Sequence, residues 1–209
     1  MVVKQYWLPR VHEDIIASLG ELEKVGIITA ARSPFNSPLW PVQKPDGTWR
    51  MTADYQELNK FIPPIYATVP SVVDLMDWVT NGYHFVADLA NAFFSIDIAP
   101  ESQDQFAFTW EGQQWTFTVL PQGYLHSLTT CDGPVAEDLA KCPRPAEMCL
   151  FHHIDDILLT RDAPTELEKA VLQLLFHLES CGWAVHEAQL QGLNCLSDSW
   201  GLSGRVRQK

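Results

Sequence analysis

Met148-Cys149-Leu150-Phe151-His152-His153-Ile154-Asp155-Asp156-Ile157-Leu158-Leu159 consists of two apolar runs separated by a polar stretch that ends in two acids. Short apolar runs bounded by turn-favouring residues read as the two strands of a hairpin. Successive strand residues point to opposite faces, so adjacent carboxylates between buried strands fit best at a tight turn. Taken alone, Asp155-Asp156 is most simply an exposed turn, where Asp is common. His152 and His153 point apart for the same reason and cannot readily share one ion. A metal hydrolase built on those two imidazoles with Asp155 and Asp156 is therefore disfavoured.

A second apolar stretch changes the weight of that pair. His84-Phe85-Val86-Ala87-Asp88-Leu89 reads as a buried strand with a carboxylate near its end. Three acids at the ends of neighbouring strands repel one another unless a divalent cation sits among them. A cluster of hard oxygens favours Mg²⁺, with triphosphate oxygens completing the octahedron. Two such ions explain phosphoryl transfer to a hydroxyl without any nucleophilic side chain.

The flanking sequence supplies helices and further hairpins. His12 to Lys24 carries Ile15, Ile16, Leu19 and Leu22 at helical spacing, with Gly26 as a stop. Pro45-Asp46-Gly47 is a turn between Leu39-Trp40-Pro41-Val42 and Thr48-Trp49-Arg50-Met51, which predicts a small hairpin. Ile62 to Pro70 reads as extended linker, and Ser71-Val72-Val73-Asp74 opens a short helix ending near Thr80. Phe106, Phe108 and Trp110 alternate up to Glu111-Gly112, and Trp115, Phe117 and Val119 alternate back, so all six share one face. A helix is expected from about Ser127 to Ala140. Another opens at Thr165-Glu166-Leu167-Glu168 and closes at Gly182, with Trp183-Ala184-Val185 as a further strand. Helices alternating with hairpins predict an α+β domain.

Composition excludes several classes. Eight Trp, 10 Phe and 5 Tyr in 209 residues rule out a disordered chain. No apolar run approaches the roughly 18 residues needed to cross a bilayer, so no membrane partner is expected, and Met1 to Tyr6 starts no signal peptide. Five Cys without CxxC spacing indicate a reducing, cytoplasmic setting with neither a disulfide frame nor a zinc cluster. The net charge is −12, and residues 61–140 contain ten acids and no Lys or Arg. Seven bases, Lys4, Arg10, Lys24, Arg32, Lys44, Arg50 and Lys60, precede that stretch. Polynucleotide binders need bases to displace counterions from phosphates, so any such function works against this deficit.

Six stretches, read in order, resemble one family. They are Asn36-Ser37-Pro38-Leu39-Trp40-Pro41; Lys44-Pro45-Asp46-Gly47-Thr48-Trp49-Arg50; Asp54-Tyr55-Gln56-Glu57-Leu58-Asn59-Lys60; Asp88-Leu89-Ala90-Asn91-Ala92-Phe93-Phe94; Leu120-Pro121-Gln122-Gly123-Tyr124; and His153-Ile154-Asp155-Asp156. Together they resemble the fingers and palm of a retroviral reverse transcriptase, that of endogenous retroviruses in particular, over about residues 5–186.

The resemblance implies a right-hand polymerase fold whose palm is a ferredoxin-like antiparallel sheet backed by helices. Fingers are expected at 1–62 and 98–121 and palm at 63–97 and 122–190. Residues 191–209 are expected to be a remnant of the segment leading to a thumb, with thumb and RNase H domain absent. The implied activity is RNA-directed DNA polymerisation, transferring a nucleotide from a dNTP to a primer 3′-hydroxyl on an RNA or DNA template. Asp88 and Asp155 are implied to hold two Mg²⁺ ions, with Mn²⁺ as an alternative and Asp156 as the peripheral third carboxylate. Lys44 and Arg50 are implied to meet the triphosphate, and Phe93 to exclude a ribose 2′-hydroxyl. Gln122 is implied to line the nucleotide pocket, with Gly123 admitting close backbone approach and His153 and Ile154 supporting the motif.

The pattern is departed from at four places. His153 replaces the usual Tyr, Asn91 stands where many members have Asp, Gln56 replaces Arg, and Leu128 sits where Pro follows Ser. With the missing grip on template, these departures predict a truncated, impaired polymerase. The alternative is a catalytically inactive endogenous retroviral remnant, or a protein that binds nucleic acid or a viral polymerase.

Overall fold

The computed structural model describes residues 2–6, 12–43, 47, 49–65, 83–143, 148–186 and 190–192. The expected turn residues Pro45 and Asp46, the expected helix at 71–80 and, from 193 onward, the expected thumb-leading remnant 191–209 lie outside them. So does Lys44. The chain divides into two compact units, residues 1–66 with 93–128, and residues 67–92 with 129–209.

The first unit is built around a three-stranded antiparallel sheet of order β1-β6-β5. Its strands are β1 (Ile28–Ala30), β5 (Phe108–Trp110) and β6 (Gln113–Phe117). Glu111 and Gly112 both have positive φ, 48° and 81°. That is the conformation a two-residue hairpin loop needs to match strand twist. The register sets Phe108 opposite Trp115 and Trp110 opposite Gln113, so the alternating aromatics do share a face. Phe108 stacks with Trp115 and tilts against Phe117. Phe106 differs from expectation by lying in a 3₁₀ turn, Asp104–Phe106, instead of the strand. It is buried all the same, edge-on to Tyr55 and Tyr124.

Helix α1 (His12–Lys24) buries Ile15 and Leu19 and ends before Gly26, whose φ of 80° suits a residue without Cβ. Strands β2 (Val42–Gln43) and β3 (Trp49–Arg50) pair Val42 with Arg50 and Gln43 with Trp49, the small hairpin expected there. Short helices α2 (Gln56–Asn59) and α3 (Pro100–Gln103) complete this unit.

The second unit is a three-stranded antiparallel sheet of order β4-β8-β7, with β4 (Tyr83–Asp88), β7 (Cys149–His153) and β8 (Asp156–Arg161). Phe85, Ala87, Ile157 and Leu159 point to one face and are buried. Helix α5 (Pro164–Cys181) contributes Leu167, Ala170, Val171, Leu174, Leu175 and Leu178 to the same core, and Gly182 caps it at φ 89°. Helix α4 (Ser127–Lys141) leads into this unit with Val135 and Leu139 buried. Asp138 on α4 accepts a hydrogen bond from the Trp183 indole at 3.0 Å. That bond, with a second from Lys141, holds its carboxyl below the ordinary carboxylate range.

Beyond Gly182 the chain covers the other edge of β4. The expected strand at 183–185 forms bridges only: Val185 pairs with Leu89 and Gln191 with Val86. The His186 amide donates to the Asp88 carbonyl at 2.9 Å. Gly192 passes so close to β4 that a Cβ there would lie 1.9 Å from the His84 carbonyl oxygen. No helix among the described residues is long and apolar enough to cross a membrane.

Candidate active site

Strand pairing brings two acids of the second unit together from positions far apart in the chain. Asp88 ends β4, Asp156 opens β8, and the register sets them directly opposite each other. Residues opposite one another in an antiparallel pair have Cβ atoms about 4.5–5.5 Å apart. Asp155 occupies the turn just before, where its carbonyl accepts the Leu89 amide at 2.9 Å and extends the ladder by one step. Ile154 forms the other half of the turn at φ 63°. Left-handed backbone is a genuine outlier for a β-branched residue, so the surrounding structure imposes it.

Two like charges facing each other across strands are destabilising unless something neutralises them. The donors are carboxylate oxygens, the chemistry that hard divalent cations take. Among the described residues no group of three or more His, Cys, Asp or Glu side chains is placed to hold a metal ion. Any ion held here must complete its shell with water or substrate oxygens.

The hairpin residues beside the acids are half-buried. His153 pairs with Asp156 across β7 and β8, and its Nδ1 is buried without a hydrogen-bond partner. His152 faces the other way, opposite Ile157, and donates from Nε2 to the Ile154 carbonyl at 2.6 Å. The two imidazoles point apart, as strand geometry requires. Cys131 on α4 is buried within reach of the Asp155 charge. Burial first, then the Asp155 and Asp132 charges, push its thiol up to about 11. A thiol so raised stays protonated near neutrality and is a poor nucleophile.

The residues tied to nucleotide binding by resemblance lie with the first unit. Arg50 is exposed on β3, Phe93 is half-buried in the 3₁₀ turn Ala92–Ser95, and Gln122 is half-buried in the loop after β6. Phe94, also half-buried, stacks on Phe117. Asn91, just after β4, has φ 53°, which Asn adopts more readily than most residues.

One supporting residue went unassigned in the sequence. The Asn59 amide donates to the Gly123 carbonyl at 3.0 Å, and its Oδ1 accepts the Leu125 amide at 2.9 Å. It thereby clamps the loop that carries Gln122. Gly123 itself has φ 90°, and a Cβ there would sit 3.1 Å from the Ala53 carbonyl oxygen, so backbone conformation and close approach both favour glycine. Asn59 was legible only as part of a motif, because its partners lie 64 and 66 residues away.

Comparison with known proteins gives a consistent set of likenesses. The family model for reverse transcriptase (RNA-dependent DNA polymerase) matches residues 42–194. The Pro-Pol polyprotein of simian foamy virus type 3 (strain LK3) is 36% identical over 217 residues, spanning 99% of this chain. A foamy viral protease-reverse transcriptase solved with double-stranded DNA superposes with a TM-score of 0.83 at 30% identity over 91% of this chain. The foamy viral protease-reverse transcriptase solved with an RNA/DNA hybrid gives 0.80 at 31% identity over 91% of this chain. The chain spans 18% of that polyprotein and 33% and 25% of the two solved chains.

Proposed function

The chain belongs to the reverse transcriptase (RNA-dependent DNA polymerase) family and has its fingers-and-palm fold, and from that premise we propose that it carries an RNA-directed DNA polymerase centre. The observation that supports this most is the register of Asp88 against Asp156 beside the Ile154–Asp155 turn. The proposed substrates are dNTPs and a primed RNA or DNA template, in keeping with the nucleic acids seen on the foamy viral relatives. Fingers are assigned to 1–62 and 98–121 and palm to 63–97 and 122–190. The division follows motifs, so residues 63–66, 93–97 and 122–128, which pack with the first unit, count with the palm.

Asp88 and Asp155 are the proposed ligands of two Mg²⁺ ions, or Mn²⁺, with Asp156 peripheral. Mg²⁺ characteristically takes one or two carboxylates and fills its shell with water and phosphate oxygens, which suits an open set of acids. When bound, the ions lower the pKa of the attacking primer hydroxyl and offset charge on the in-line transition state. The protein's part is placement. Lys44 and Arg50 meet the triphosphate as point charge and planar fork. Gln122, held by the Asn59 clamp on its loop, lines the nucleotide pocket.

Extension of a DNA primer on an RNA template, with Mg²⁺ or Mn²⁺ and abolished by chelation, tests the reading. A second reading is a non-catalytic descendant that retains the fold. The stretch 61–140, without one Lys or Arg, favours it, since phosphate-neutralising side chains are lacking there. Duplex binding with no extension under either metal would select it.

Phe93 provides a specificity test. As a steric gate its ring fills the space of a 2′-hydroxyl, which is exclusion by clash. Phe93→Ala should raise incorporation of rNTP relative to dNTP by about tenfold or more, within the range a change of pocket volume commands. An unchanged ratio in steady-state incorporation would assign Phe93 to packing alone.

A further inference from the structure

The Ile154–Asp155 turn holds a conformation that its own sequence disfavours, so something adjacent must fix it. Two hydrogen bonds do. On the β4 side the Leu89 amide donates to the Asp155 carbonyl. On the β7 side the His152 ring donates Nε2–H to the carbonyl of Ile154, the left-handed residue itself, at 2.6 Å. A carbonyl only accepts, so the proton on Nε2 is fixed by the contact.

We infer that His152 is a positioning residue for the Asp155 and Asp156 carboxylates, acting through its hydrogen bond to the Ile154 carbonyl. The inference rests on the polymerase reading for its catalytic consequence, and on geometry alone for its structural one. The ring is not free to leave. Its side chain is only 10% exposed, and Asp132 of α4 stands beside its other edge, with Oδ1 3.6 Å from Nδ1. That distance exceeds a hydrogen bond, and Asp132 Oδ1 is buried with no hydrogen-bond partner. The ring is thus boxed between helix and hairpin, with one firm bond aimed at the turn.

The link from bond to chemistry is short. The Ile154 carbonyl belongs to the peptide unit that carries the Asp155 amide, so its direction sets where the Asp155 side chain leaves the backbone. Asp156 follows and enters the ladder opposite Asp88. Displacing a reacting group by about 1 Å can cost on the order of 100-fold in rate. A mere fold-stabilising role would lower stability and leave the surviving folded protein as active as before.

The test compares His152→Phe, which keeps a ring but loses the donor, with His152→Gln, whose amide can donate from a similar reach. The full chain is used throughout. His152→Phe should lower kcat for primer extension by about tenfold or more, while KM for dNTP and affinity for template–primer change less than about threefold. His152→Gln should recover kcat to within about threefold of the parent. Hydrogen exchange followed by mass spectrometry supplies an arm independent of turnover. Peptides covering 150–158 should exchange faster in His152→Phe and at the parental rate in His152→Gln, with those of α5 unchanged. Should the parent chain extend no primer, the polymerase reading falls and the exchange comparison still decides the strut. Parental exchange across 150–158 in folded His152→Phe overturns the inference, as does parental kcat in that variant.

Discussion

Asp155→Asn is expected to reduce primer extension by about 10³-fold or more while leaving the fold intact. An amide keeps the shape of the carboxylate but carries no charge and one acceptor fewer, so it holds a hard divalent ion far more weakly. Loss of a single group that stabilises transition-state charge costs roughly 10²–10³, and loss of a metal ligand removes that stabilisation together with activation of the hydroxyl. Stability should move the other way. Asp155 lies one residue from an Asp88–Asp156 pair already crowded with like charge. Without an ion, neutralising Asp155 relieves repulsion, and the midpoint of thermal unfolding should stay level or rise. Single-turnover extension and a melting curve on the same preparation decide the matter. A variant that melts far lower would place Asp155 in the scaffold and not in the chemistry.

Phe85→Ala is expected to cost about 3–5 kcal/mol, the usual range for emptying a buried aromatic site. Phe85 is 1% exposed on β4, three residues before Asp88, and its sheet face packs against α5. At about 2–4 °C per kcal/mol for a chain of this size, the second unit should melt roughly 6–20 °C lower. Urea unfolding followed by tryptophan fluorescence would check it, since the buried Trp183 reports on this unit. A loss under about 1 kcal/mol would mean that the sheet–helix interface collapses around the cavity.

Local structure was legible where local rules operate without competition. Helix α1 runs from His12 to Lys24 as the spacing of Ile15 and Leu19 predicts, and Glu111-Gly112 turns the chain where the aromatics reverse. Phe106 escaped the strand expected of it because alternation alone cannot separate a strand residue from a buried 3₁₀ residue ahead of it. Trp183 to Val185 looks like a strand in composition, yet it makes bridges, since pairing depends on the edge it meets. The family resemblance extended to fold because six ordered motifs constrain topology far more than any one does. Residue types at the acidic site were visible from the sequence. Their register was not: that Asp88 faces Asp156, and that Asp155 meets Leu89 through its carbonyl, are properties of two strands about 70 residues apart in sequence. Ile154 was the least legible of all, because a β-branched residue gives no hint of left-handed backbone.

The chain from 184 to 192 determines where a shorter protein can be cut. Gly182 is an inviting stop, since α5 ends there and the acidic hairpin lies upstream. A fragment ending at that point would strip Val185, His186 and Gln191 from β4 and leave its outer N–H and C=O groups exposed. An unpaired edge of that kind recruits strands from other copies, and the product is aggregate. Soluble expression of the second unit therefore depends on carrying the chain at least through Gly192. The residue there must stay glycine, because nothing larger fits against the His84 carbonyl.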